Sequence, residues 1–167
     1  MTQVVRRIDV LRNTTSVREI LQVATSFEAS ARDFYTRLTP KVSKKIRYLV
    51  EELAIEEQGH FDLLTALSAR DDLAEQVKLQ IQQPASDSKF SDCLHVPDLG
   101  EHPDDQAVLQ YAMGREHVAM THYTELARTA PAGPIQDLFQ FLASEETTHK
   151  LELEKLYYEI IHRGGGV

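Results

Sequence analysis

The chain of 167 residues has no tryptophan and a single cysteine, Cys93. One thiol can form no internal disulfide and no Cys-x-x-Cys metal knuckle. Nothing basic close in sequence would activate it, so Cys93 is expected to be an ordinary free thiol in a loop. Long apolar runs are missing as well. No stretch approaches the ~20 apolar residues of a membrane span, and the opening MTQVVRRIDVLRNTT holds no apolar core long enough for a secretion signal. Positive charge is in short supply, with 18 Lys and Arg against 26 Asp and Glu and a net charge of -8. That balance argues against nucleic acid as a partner, because phosphate binding needs a basic face. It argues equally against an anionic membrane surface, and a soluble cytoplasmic protein is the default expectation. Period-two alternation is absent too, so no strand is expected.

What remains is helix. A chain of this length with 42% apolar residues can bury one real core. Residues 1–15 read as an N-terminal arm, with Val4, Val5, Ile8, Val10 and Leu11 as docking points. Residues 16–163 read as one bundle, and 164–167 as a flexible tail. Ser16-Val17-Arg18-Glu19 is a capping box, in which side chains satisfy the orphan N–H groups of a helix start. The first helix is expected from Val17 to Leu38, with Leu21, Ala24, Phe27, Ala31, Phe34 and Leu38 at the spacing of one face. Thr39-Pro40 ends it and can cap the second, which carries Ile46, Leu49, Leu53, Leu64 and Leu67 on one face and is expected to continue, with a kink, to about Gln82. Residues 83–103 lose helical periodicity and collect Pro84, Pro97, Gly100 and Pro103. A crossover between two helix pairs of a bundle is a physical reason for so long a connection. The third helix is expected from Asp104 or Asp105 to about Arg128, and the fourth from about Pro134 to His162.

The two halves resemble each other. Leu53-Ala54-Ile55-Glu56-Glu57-Gln58-Gly59-His60 and Leu142-Ala143-Ser144-Glu145-Glu146-Thr147-Thr148-His149 both read L-A-x-E-E-x-x-H. Glu28 precedes Tyr35 by seven residues, as Glu116 precedes Tyr123. Glu116 lies 88 residues after Glu28, and Glu146 lies 89 after Glu57. One offset therefore carries the four helices onto each other two by two, which suggests a duplicated helical hairpin with an approximate two-fold axis. A Glu-x-x-His alone carries little weight, since this composition yields about 0.6 by chance. Three occur, and the third, Glu159 to His162, lacks the shared context.

The face these residues occupy is more telling. Glu28 lies inside the apolar stripe of the first helix, four after Ala24. Glu57 lies four after Leu53, Glu116 four after Ala112, and Glu146 four after Leu142. Residues at i and i+3 share a face, so Glu57 with His60 and Glu146 with His149 can each grip one ion. Four unpaired carboxylates in one core would each cost several kcal/mol, and divalent cations remove that cost. Glu56 and Glu145 stand about 100° round the helix from these positions, as boundary groups or outer partners of the ligands. Tyr35 and Tyr123 are expected either to bond a ligand carboxylate or simply to pack. His117 follows Glu116 and points off its face, either as an ordinary polar position or in contact with a ligand, whereas His122, His95 and His102 read as surface or loop residues.

Glu28, Glu57 with His60, Glu116, and Glu146 with His149 resemble the ligand pattern of the rubrerythrin-like branch of the ferritin-like di-iron carboxylate proteins: one glutamate from each of two helices and a Glu-x-x-His from each of the other two. The resemblance covers roughly residues 16–162 and implies an all-α, ferritin-like four-helix bundle with a long crossover between helices 2 and 3. It implies two iron ions as cofactor, with Glu57 and Glu146 bridging and Glu28 and Glu116 terminal. Zinc or manganese are possible substitutes, given imidazole and carboxylate ligands without thiolate. It also implies a homodimer, within which the duplicated halves would permit exchange of helix pairs, and a two-electron oxidoreductase acting on peroxide or dioxygen, of peroxidase or ferroxidase type. Two departures matter. A rubredoxin-like iron site needs four cysteines, so a peroxidase would depend on a separate electron donor. The family's additional glutamate, one turn after the third-helix ligand, is absent, with Ala119 and Met120 there instead. A non-catalytic metal-binding or sequestration protein is therefore the alternative, and a metal-free helical scaffold a third.

Overall fold

A computed structural model describes residues 13–164, with side chains through His162. Most of the expected arm, including its docking points, and the last three residues of the tail lie outside the described residues. Four long helices carry the fold: α1 (Val17–Leu38), α2 (Lys44–Ser68), α4 (Asp105–Thr129) and α5 (Pro134–Gly164). The crossover contributes a six-residue helix, α3 (Asp87–Asp92). The all-α bundle with its long crossover is thus present.

Helix α1 starts and stops where its sequence says. The Ser16 Oγ accepts from the Glu19 N–H at 3.1 Å, and the Thr39 N–H closes the last turn on the Tyr35 carbonyl. The next cap differs from expectation. Thr39 belongs to the end of α1, and it is Ser43 that caps α2, accepting from the Lys45 N–H at 3.2 Å. Helix α2 also ends earlier than Gln82. Arg70 takes extended backbone (φ -73, ψ 124), its guanidinium grips Asp72, and two 3-10 turns follow at Asp71–Leu73 and Gln76–Lys78. These turns bury Leu73 and Val77, which a straight helix would carry away from the bundle. The chain then forms a two-stranded antiparallel ladder, contrary to the all-helix expectation: β1 (Thr14–Ser16) against β2 (Gln80–Gln82), with Thr15 opposite Ile81. Three residues are too few for alternation to be visible in the sequence.

The core consists of two apolar clusters. One joins the first half of α1 (Val17 to Phe27), the end of α2 (Leu64, Leu67), the end of α4 (Ala119 to Ala127) and the start of α5 (Ile135 to Leu142). The other joins the end of α1, the start of α2, the start of α4 and Leu153 and Leu156 of α5. Hence α1 runs antiparallel to α2 and α4, and α2 runs parallel to α4. A chain leaving α2 must travel back the length of the bundle, about 37 Å for 25 residues, before α4 can begin. That geometry accounts for the long crossover. Phe90 of α3 anchors it, fully buried and stacked between Phe27 (4.1 Å) and His122 (3.9 Å).

The crossover meets three polar residues of α4: Arg115, His122 and Glu125. Arg115, 2% exposed, donates to the carbonyls of Cys93 (2.6 Å) and Phe27 (3.2 Å) and lies over the Phe27 ring. The Ser86 hydroxyl donates to Glu125 at 3.0 Å, leaving its oxygen to accept from His122 Nδ1 at 2.8 Å. His122 is therefore not a surface residue: it is 2% exposed. Burial holds it down at about 4, against the pull of Asp87 and Glu125. The unfolded chain, with an ordinary value of 6.5, takes up the proton first as pH falls. Stability that is fully present above pH 6.5 is then expected to fall by about 3 kcal/mol on the way to pH 4. H122F keeps the ring stack and cannot be protonated, so urea midpoints followed across that range should lose this part of the slope. An unchanged slope would assign the acid loss to other groups.

Candidate metal centre

Between the two apolar clusters lies a polar layer. Glu28, Glu57, His60, Glu116, Glu146 and His149 are all buried, at 3% exposure or less. All six residues singled out in the sequence are brought together, one acid from α1, one from α4, and a Glu-x-x-His from α2 and from α5. Their donor atoms form two overlapping groups, each within 4.8 Å: Glu28, Glu57, His60 and Glu146, and Glu57, Glu116, Glu146 and His149. Glu57 and Glu146 belong to both. Glu57 lies 3.2 Å from His60 Nδ1 and 3.4 Å from His149 Nδ1; Glu146 lies 3.1 and 3.6 Å from the same atoms. The imidazoles are nearly parallel, with centroids 5.6 Å apart, and both turn Nδ1 inward.

The tyrosines cross between the halves. Tyr35 of α1 donates to Glu116 of α4 at 2.6 Å, and Tyr123 of α4 donates to Glu28 of α1 at 2.5 Å. Burial, reinforced by these carboxylates, pushes both phenols well above their usual range, so they stay protonated and donate. The outward edges of the histidines meet the other pair of acids, again crossed: His149 Nε2 contacts Glu56, and His60 Nε2 lies 3.9 Å from Glu145. A carboxylate at Nε2 favours the tautomer that leaves Nδ1 free for an inner partner. His117 is exposed, as expected. Cys93 sits half-buried at the end of α3, where burial pushes its thiol up rather than activating it.

Burial and neighbouring Glu57 push Glu28 up to about 8, and burial with Glu116 and Glu57 pushes Glu146 well above the carboxylate range. Burial opposes the ionisation of Glu57 too, yet the two imidazoles beside it, His149 at 3.4 Å and His60 at 3.2 Å, hold it low. Burial likewise opposes charge on the histidines, and the surrounding carboxylates reverse that and raise both. Three acids and two imidazoles thus compete for protons within one buried layer. His149 Nε2 has no well-directed hydrogen-bond partner despite its contact with Glu56. Glu28 Oε2, Glu57 Oε1, both Glu146 oxygens and His149 Nδ1 are likewise buried without one. Buried polar atoms are normally satisfied, and these face one small region. The donor set suits hard or borderline divalent cations.

Sequence reasoning missed Arg115 and His122, whose burial comes from the crossover and not from the bundle face. Among the described residues no helix is long and apolar enough to cross a membrane.

No family model matches the chain, and no curated protein shows significant similarity to it. Among solved structures, a candidate ferritin-like diiron-carboxylate protein of Thermotoga maritima is similar, with a TM-score of 0.71 and 19% identity over 88% of this chain and 97% of that one. At that identity the likeness speaks for the fold, and the fold of this chain is ferritin-like.

Proposed function

We propose that this ferritin-like chain is a di-iron carboxylate oxidoreductase that reduces peroxide or dioxygen, of peroxidase or ferroxidase type. The observation that carries the proposal is the pair of overlapping four-residue groups sharing Glu57 and Glu146. Glu28 and His60 would complete one iron position, and Glu116 and His149 the other. Two ferrous ions bound there would supply the two electrons that such an oxidant takes up, becoming ferric.

The chain's own residues bind and orient. Glu57 and Glu146 reach both positions because each sits one turn before its own histidine and opposite the other. Tyr35 and Tyr123 each occupy one oxygen of a terminal carboxylate, which leaves the other oxygen to the ion. Glu56 touches the Nε2 edge of His149 and Glu145 lies 3.9 Å from that of His60, so Nδ1 of each ring is the atom that would face an ion. Apolar clusters flank the layer on both sides, and its six side chains are almost wholly buried. Anaerobic loading with ferrous iron followed by peroxide should give ferric absorbance within seconds; an unchanged spectrum would overturn the proposal.

One observation favours a second reading, a protein that binds or sequesters metal without turnover. Ala119 is fully buried in the core, where the resemblance expects another carboxylate nearby. In the same assay, repeated turnover with an added reductant would count against it.

A further inference from the structure

Resting on the two-ion reading above, we propose that cations reach the site through an opening in the seam between α2 and α5, beside Gly59. An open recess of about 470 Å3 lies there, and its inner wall is His60. His60 is the least enclosed of the six site residues, its side chain 4% exposed against 2% or less for the others. Two other recesses, of about 310 and 250 Å3, touch none of the six.

The lining suits a small cation. Leu63 and Phe141 form apolar walls, and the His60 ring meets Phe141 edge-on at 6.3 Å. Glu56, Asp62 and Glu145 supply carboxylates. A cleft of one charge sign between apolar walls concentrates counter-ions. The acids also continue inward: Glu145 lies 3.9 Å from His60 Nε2, and Glu56 touches His149 Nε2. Carboxylate oxygens therefore run from the rim to the backs of both histidines, giving a partly dehydrated ion successive partners.

Gly59 keeps this opening clear. The two halves differ here, since Gly59 precedes His60 whereas Thr148 precedes His149. Glycine inside a helix is unfavourable, and no backbone strain calls for it, because positive φ occurs only at Gly100 and Gly133 among the described glycines. A Cβ on Gly59 would meet nothing within 4 Å. A large side chain there would project into the recess and block it.

The test follows anaerobic uptake of Co2+ by its ligand-field absorbance, which reports nitrogen and oxygen ligands without turnover. Release into excess EDTA gives the reverse rate. In G59F both uptake and release should slow at least tenfold, with final amplitude and affinity unchanged, as a narrowed passage requires. G59A, too small to block, and G114F, the same change at an exposed glycine of α4, should stay within twofold of the parent. Parental rates in G59F, equal slowing in G59A, or weakened affinity in G59F at parental uptake rate would each overturn the proposal. Failure of the parent chain to take up cobalt would instead sink the metal reading, and it would be seen before any variant is compared.

Discussion

E146Q is expected to raise the melting temperature of the metal-free protein and to abolish its rise on adding metal. Glu146 is fully buried, neither oxygen has a well-directed partner, and its carboxyl is pushed up by burial and by Glu116 and Glu57. An amide of the same shape keeps the volume and is always neutral, so folding no longer has to protonate the group against burial and like-charge repulsion. The gain without metal should be about 1–3 kcal/mol, the scale of one unsatisfied buried polar group. With metal the sign reverses. At a free ion concentration a thousandfold above Kd, the parent should gain about 4 kcal/mol. The variant loses a residue belonging to both four-residue groups, so both positions weaken together. Melts with and without Zn2+ or anaerobic Fe2+, paired with metal analysis, measure both effects. A metal-dependent rise that survives E146Q would exclude Glu146 from the site. A lower metal-free melt would mean that its attraction to His60 outweighs the repulsion.

F90A is expected to cost about 3–5 kcal/mol, the range for truncating a buried aromatic. Phe90 stacks on Phe27 and His122 and meets Tyr123 edge-on at 5.6 Å. It is the one fully buried side chain of α3. The loss cannot exceed the free energy that holds the crossover to the bundle, because beyond that point the segment detaches. Urea unfolding should therefore show lower stability, accompanied by new proteolytic cleavage within residues 83–103. The effect should reach the polar layer, since Phe27 precedes Glu28 and Tyr123 holds it. A loss below about 1 kcal/mol would show that the aromatic stack is not what fixes the crossover.

Much of this architecture was legible in residue spacing. Ser16 and Glu19 announce the start of α1, and the apolar stripes with acids embedded in them bring six polar side chains into one layer. What escaped was set by the crossover. The periodicity of α2 continues past Ser68, but Leu73 and Val77 are buried by turning the chain, and no local propensity reports that. Arg115, His122 and Glu125 share one face at helical spacing, yet a polar stripe resembles a solvated face. It is covered because α2 and α4 run parallel and the returning chain has to lie somewhere. The short ladder of Thr14–Ser16 with Gln80–Gln82 depends on the same return path.

The crossed tyrosines have a consequence for how the molecule holds together. Each hairpin carries an acid that it cannot steady and a tyrosine whose partner lies on the other hairpin: Tyr35 serves Glu116, and Tyr123 serves Glu28. Glu57 and Glu146 likewise each complete the partner hairpin's group. Neither half contains a self-sufficient half-centre. The polar layer is thus an association surface between two similar units joined in one chain, and whatever occupies it acts as their clasp.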